Sequence, residues 1–167
     1  MLAPTTMEDL FVYRLTRLLA IASLPIGRHC EGRYGITKRE WRLIGTLARF
    51  GRLLSSELAR EVHLERARTS KAVTALVAKG LATRRPRPND RRRVDIELTA
   101  AGRALHDELL PLVAHLNVEI LSVLAPDEVE RLDRMMALLQ AKAEQIVDGV
   151  ELPKVDRRRP LRHPTPD

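Results

Sequence analysis

Between Met7 and Arg33 the apolar residues Leu10, Phe11, Leu15, Leu18, Leu19, Ala22 and Ile26 recur at steps of three and four with few exceptions, the period of an amphipathic helix. Pro25 removes the amide that would bond back to Ile21, so a kink or break is predicted there, and Gly32 and Gly35 close the segment. Thr37-Lys-Arg-Glu40 has capping-box spacing: the Thr oxygen accepts from the third helical amide while the Glu carboxylate accepts from the cap amide. The helix it opens is predicted over Trp41 to about Arg49, with Trp41, Ile44, Leu47 and Ala48 inward and Gly51 ending it.

Ser55 is predicted to cap a short helix from Ser56 to about Val62, and His63-Leu-Glu65 turns the chain into a further helix over 66–79. Two short helices so joined form a helix-turn-helix, here without the glycine often found in the turn. Leu81–Arg85 and Arg93–Leu98 are predicted strands, the second with Val94, Ile96 and Leu98 inward and Asp95 and Glu97 outward. Pro86-Arg-Pro-Asn-Asp-Arg-Arg92 between them is turn-rich, giving a basic-tipped hairpin. Thr99 caps a long helix to about Val123, with Leu105, Leu109, Leu112, Leu116, Ile120 and Val123 on one side and a bend at Pro111. Pro126, followed by Asp127 and Glu128, opens a last helix to about Val147. Its apolar set, Val129, Leu132, Met136, Leu139, Ala143 and Ile146, has heptad spacing and makes a seam for another helix. After Leu152 the Pro- and Arg-rich chain is expected to be disordered.

Aromatics make up 3% of the chain, so the core falls to Leu, Val, Ile and Ala, which suits packed helices. Charge is unevenly spread. Residues 66–93 hold ten Lys or Arg and one acid, Asp90, a local balance of +9 against +7 for the whole chain. A basic device on a near-neutral body, with a pI near 10.3, points to a polyanion, and nucleic acid is the commonest. No apolar run reaches the ~18 residues that span a bilayer, and Glu8 and Asp9 precede an Arg-interrupted helix where a secretion signal needs an apolar core. A cytoplasmic location without membrane partners is expected.

The order helix, helix, helix-turn-helix, hairpin, long helix, helix carries four further signatures: Ser55-Ser-Glu-Leu-Ala59, Lys79-Gly-Leu81, Asn89-Asp-Arg-Arg92 and Leu98-Thr-Ala-Ala-Gly102. Together, over roughly residues 8 to 148, they resemble the MarR family of winged-helix transcription regulators. The resemblance implies a mainly α fold with a small β-hairpin, a winged helix-turn-helix domain plus a helical dimerisation domain. Its parts are an N-terminal dimerisation helix (7–36), the DNA-binding domain (37–98), C-terminal dimerisation helices (99–148) and a basic tail (149–167). It also implies a homodimer that acts as a repressor on a pseudo-palindromic double-stranded DNA operator and is tuned by a small ligand. Ala125 before Pro126 departs from the family's usual Ser or Thr cap, so fraying is expected there.

On a helical wheel of residues 66–79, Val73, Leu76 and Val77 share one face, with Thr69 and Ser70 beside them, while Ala67, Arg68, Lys71, Thr74 and Ala75 lie opposite. Small residues between basic ones let such a helix sit deep in the major groove, where Arg68 can make the bidentate contact to guanine O6 and N7. Ser70, Thr69 and the first amides are expected to grip phosphate. Ser55, Arg66, Lys71, Thr74, Arg87 and Arg91 complete the expected interface, with Asp90 bridging to a neighbouring guanidinium. By family resemblance Arg92 enters the minor groove.

The family commonly binds an aromatic carboxylate between its dimer helices and winged domain. The candidates here are Tyr13, Arg17, Ser23, His29, Trp41 and Arg42, an indole wall with cationic groups for an anion. Arg39-Glu-Trp-Arg42 with Glu65-Arg-Ala-Arg-Thr69 resembles the branch controlling aromatic-compound catabolism, whose effectors are aromatic acids or aryl-CoA thioesters. Three other classes compete. Cys30, beside Arg28, His29 and Arg33, would favour thiolate in a redox-sensing regulator. A winged helix can also serve only for protein docking, although such modules seldom hold so dense a positive charge. An enzyme finds no support: there is no phosphate loop, nucleophile elbow or metal-ligand spacing, and no catalytic residue, metal or cofactor is expected.

Overall fold

Helices in this chain stop where a residue cannot continue them. The computed structural model describes residues 2–87 and 90–150, with backbone alone for 90–92. After a single 3-10 turn over Met7–Asp9, α1 (Phe11–Ala22) and α2 (Leu24–Tyr34) are separated at Ser23. Pro25 thus occupies the first turn of α2, where its missing amide leaves no intrahelical bond unmade. Gly35 ends α2 with a left-handed φ of 61°, whereas Gly32 stays inside the helix.

The capping box at Thr37 is closed from both sides. The Glu40 amide donates to Thr37 Oγ1 at 3.2 Å and the Thr37 amide donates to a Glu40 carboxylate oxygen at 2.6 Å. Helix α3 (Lys38–Phe50) buries Leu43, Ile44 and Leu47, while Trp41 is only half-buried. The two-residue strand β1 (Leu53–Leu54), too short to show a period, leads into α4 (Ser55–Glu61). Ser55 is the first helical residue here and not the cap. Leu54, held extended by pairing with Asp95, takes the cap position, and its amide donates to a Glu57 carboxylate oxygen at 2.8 Å.

Helix α5 (Arg66–Ala78) is followed by β2 (Ala82–Arg87) and β3 (Asp90–Leu98), with β3 central in a three-stranded antiparallel sheet ordered β1-β3-β2. The hairpin strands therefore reach into the stretch predicted as loop. Pro86 is accommodated because β2 is an edge strand, and the register shifts beside it at Arg87. Ile96 is buried and Val94 and Leu98 half-buried, as the alternation predicts. Asp95, however, is 5% exposed and not outward: Arg87 folds over it, Nε lying 2.9 and 3.0 Å from the two carboxylate oxygens. Glu97 is likewise covered, by Arg52 and Arg85.

Thr99 joins the hairpin to α6 (Ala100–Leu121). Its hydroxyl accepts from the Gly102 amide at 3.1 Å and donates to the Gly80 carbonyl at 2.7 Å. A Cβ at Gly102 would meet the Leu81 carbonyl oxygen at 2.0 Å, so only glycine permits this approach. Helix α6 runs through Pro111, and Leu109 is buried, but Ile120 is 43% and Val123 84% exposed. The outer part of the predicted stripe is thus left exposed among the described residues. In α7 (Pro126–Gly149) the Ala125 amide donates to Glu128 at 2.8 Å, compensating for the missing side-chain cap, and Met136, Leu139 and Ile146 are exposed.

The chain forms two compact units, one running to Ile120 and one beginning at Leu121, so α1 and α2 pack in the same unit as the winged segment. Among the described residues no single helix is long and apolar enough to cross a membrane. Most of the 149–167 tail lies outside the described residues.

Glu40 ties this unit together. Lys79 Nζ lies 2.9 Å from both its carboxylate oxygens and 2.7 Å from the Gly35 carbonyl. Burial raises the Glu40 carboxyl, and the bonds from Lys79 and the Thr37 amide outweigh that, holding it below the ordinary carboxylate range. A depressed folded value stabilises above the unfolded value and is lost as pH falls through the folded one. Glu40→Gln should therefore cost about 2 kcal/mol near neutral pH. In denaturant titrations the gap from wild type should hold from pH 8 to about 6 and shrink below about 4, under the unperturbed carboxylate value; a gap that widens in acid would contradict the assignment.

Candidate nucleic-acid interface

What α5 offers to a ligand is set by how the preceding turn fixes its roll. The chain reverses at His63, whose φ of 48° occupies the left-handed region that glycine usually fills in such turns. The Leu64 amide donates to the Ala59 carbonyl at 3.0 Å, and Arg42 Nη2 reaches from α3 to the Val62 carbonyl at 2.7 Å. With the turn so held, Ala72, Val73 and Leu76 face the core, while Ala67, Arg68, Ser70, Lys71 and Thr74 are exposed.

Thr69 departs from the expectation. It is fully buried and its hydroxyl donates to the Glu65 carbonyl at 3.2 Å, so its side chain is a packing group and not a phosphate ligand. Ser70, one position on, is exposed and lines a cleft of about 540 Å³ with Leu54, Ser55, Ser56, Arg66 and Arg93. Here the predicted Ser55, Arg66 and Ser70 come together, joined by two residues the sequence reading left out of the interface, Ser56 and Arg93. Arg68 Nε lies 3.4 Å from a Glu65 carboxylate oxygen, both side chains about half exposed.

On the hairpin, Arg84 Nη2 donates to Thr74 Oγ1 at 2.7 Å, a link from β2 to α5 that was also missed. Its signal was available: Arg84 shares a strand face with Ala82, two residues earlier, and Ala82 is buried. Arg87 pairs with Asp95 within the hairpin, Nη2 lying 2.8 Å from a carboxylate oxygen. The side chains of Asp90, Arg91 and Arg92 lie outside the described residues.

The candidates for an effector do not share one described cavity. His29 lines a cleft with Leu24, Pro25 and Arg28. Ser23 accepts from Lys38 Nζ at 2.9 Å, and Trp41 stacks on His106 with ring centroids 5.7 Å apart. Tyr13 and Arg17 lie on α1, half-buried and exposed, and Arg42 is held by Val62. Cys30 is fully enclosed in the core, and burial pushes its thiol up, Glu31 adding to the effect. The neighbouring cations do not prevail, contrary to the thiolate expected for a sensor. Glu108 on α6 accepts from Tyr34 Oη at 2.9 Å and from Arg33 Nη2 at 3.1 Å. No group of His, Cys, Asp or Glu able to hold a metal ion occurs among the described residues.

Comparison with known proteins points one way. The model of the MarR family matches residues 34–93. A regulator from Neisseria gonorrhoeae, the HTH-type transcriptional regulator FarR, is 33% identical over 114 residues, covering 68% of this chain and 77% of that protein. A probable transcriptional regulator from Pseudomonas aeruginosa superposes with a TM-score of 0.66 at 26% identity, over 80% of this chain and 99% of the other. Bordetella bronchiseptica BpsR, solved to explain regulation of its DNA binding by 6-hydroxynicotinic acid, superposes with a TM-score of 0.72 at 20% identity, over 83% of this chain and 98% of its own.

Arg87→Ala should leave the Asp95 carboxylate buried without its guanidinium and lower stability by about 2 kcal/mol. Adding Asp95→Asn should recover part of that loss in thermal unfolding. A phosphate-gripping Arg87 with no structural role would instead leave the midpoint unchanged.

Proposed function

As a member of the MarR family the chain is a transcriptional regulator, and we propose that it acts as a homodimer repressing from a pseudo-palindromic operator until an aromatic carboxylate or aryl-CoA thioester binds. The observation that carries the reading is the two-sidedness of α5. Its apolar residues are spent on the core, and the face left outside presents Arg68 and Lys71 among the small residues Ala67, Ser70 and Thr74. That face is narrow enough for the major groove and suits Arg68 for guanine O6 and N7. The cleft with Ser55, Arg66, Ser70 and Arg93 suits a phosphate beside it. Arg91 and Arg92 extend the contact along the hairpin, with Arg92 in the minor groove.

Dimerisation accounts for apolar surface that the chain leaves uncovered. Val12, Leu18, Leu19 and Ile21 on α1, Val118 and Ile120 on α6, and Leu138, Leu139, Ile146 and Val147 on α7 are all exposed. In this division of labour residues 7–36 and 99–148 pair two copies and residues 37–98 read the DNA. The buried, proton-retaining thiol of Cys30 disfavours a redox-sensing alternative.

Release is proposed to work through Arg42. Its guanidinium holds the Val62 carbonyl at the end of α4, and Trp41 is the residue before it on α3. An aromatic acid stacked near Trp41 would compete for Arg42 with its carboxylate and loosen the turn that sets the roll of α5. The BpsR precedent, in which an aromatic acid regulates DNA binding, supports this class of effector, with Tyr13, Arg17, Ser23 and His29 as further ligand candidates.

Affinity for duplex DNA should fall with a log–log salt slope near that of about 8 neutralised phosphates. Arg68→Ala should flatten the preference among operator variants by about 1–3 kcal/mol; an Arg68→Ala protein that keeps the wild-type ranking of sequences would remove Arg68 as the reader. Isothermal calorimetry with hydroxybenzoates and their CoA thioesters should give a saturable signal that Arg42→Ala abolishes, and no heat with any of them would reject the effector class.

A further inference from the structure

Resting on the DNA-binding reading above, we propose that Thr74 is not a base reader but the seat of Arg84, which it positions to grip a phosphate bordering the groove that α5 enters. A threonine hydroxyl has one proton to give and two lone pairs to receive with. Thr74 gives its proton to the Ser70 carbonyl at 3.0 Å and accepts from Arg84 Nη2 at 2.7 Å. The donor a base edge would need is therefore already spent, and half the accepting capacity with it.

Placement supports the same role. Ala67, Lys71, Thr74 and Ala78 fall at steps of four, three and four and form one exposed stripe of α5. Arg84, itself exposed, crosses from β2 onto Thr74, about one turn short of the end of that helix at Ala78. It thus places a guanidinium on the end of the stripe opposite Arg66, in line with Lys71. A planar guanidinium held through one Nη is oriented, and an oriented fork is better suited to a phosphate than a swinging one. The register Arg84↔Ile96 fixes the strand from which it projects, so Thr74 and Arg84 together also set the hairpin against the reading helix.

The test is a double-mutant cycle on the full chain, using the duplex that wild-type protein enriches from a randomised library and point variants of that duplex. Arg84→Ala should weaken binding to all of them alike, by about tenfold, and reduce the salt slope by about one. Thr74→Val should weaken all of them alike, have no further effect in the Arg84→Ala background, and leave the thermal midpoint in place, while Thr74→Ser retains wild-type affinity. Additive losses, a changed ranking of the point variants with Thr74→Val, or a Thr74→Ser protein as weak as Thr74→Val would overturn the assignment while leaving DNA binding intact. A wild-type protein that enriches no duplex at all would overturn the DNA-binding reading and this inference together.

Discussion

The contact between Glu40 and Lys79 bridges 39 positions of sequence and joins three helix ends at one point. Glu40 starts α3 by bonding the Thr37 amide, Lys79 finishes α5, and Lys79 also accepts the role of partner to the carbonyl of Gly35, where α2 stops. A carboxylate 3% exposed would be costly alone; with an ammonium and an amide around it the charge is retained. The far end of α5 is thereby tied to the scaffold, and its near end is tied by the turn at His63 and by Arg42. Two anchors determine the roll of a helix, and the roll determines which side chains reach a duplex.

The strong local charge of residues 66–93 needs to be understood with its neighbours. Carboxylates outside that window reach into it: Glu40 to Lys79, Glu65 to Arg68, Asp95 to Arg87 and Glu97 to Arg85. Part of the positive charge is thus structural, holding the hairpin and helix ends in place. The outward field draws on exposed groups such as Arg66, Lys71 and Arg84, and on Arg68, whose exposed partner Glu65 is a weak competitor in water.

Much of this was legible from sequence because the signals were local. The capping box at Thr37, the Thr99 cap, the helix-turn-helix and the inward set Ile44, Leu47, Val73 and Leu76 all follow from spacing within one turn or one element. The misses share a different cause. Strand β1 is two residues long and exists only because β3 pairs with it. Asp95 and Glu97 look like outward positions by alternation, and only arginines from elsewhere cover them. Thr69 was placed beside a face, not within it, because the wheel cannot say how deeply a helix is seated. Arg84 was passed over as one charge in a run, although its partner lies ten residues back on another element. The end of the stripe predicted for α6 is a further departure: the helix stops at Leu121, so Val123 lies in the turn beyond it, and both Ile120 and Val123 are exposed.

The hairpin carries a quieter property at its rim. An edge strand offers unmade backbone bonds to any stray sheet it meets. Strand β2 interrupts that ladder with Pro86, shifts register at the next residue, and surrounds both with arginine. The same proline, register shift and arginines that shape the β2 edge thus make it a poor template for aggregation.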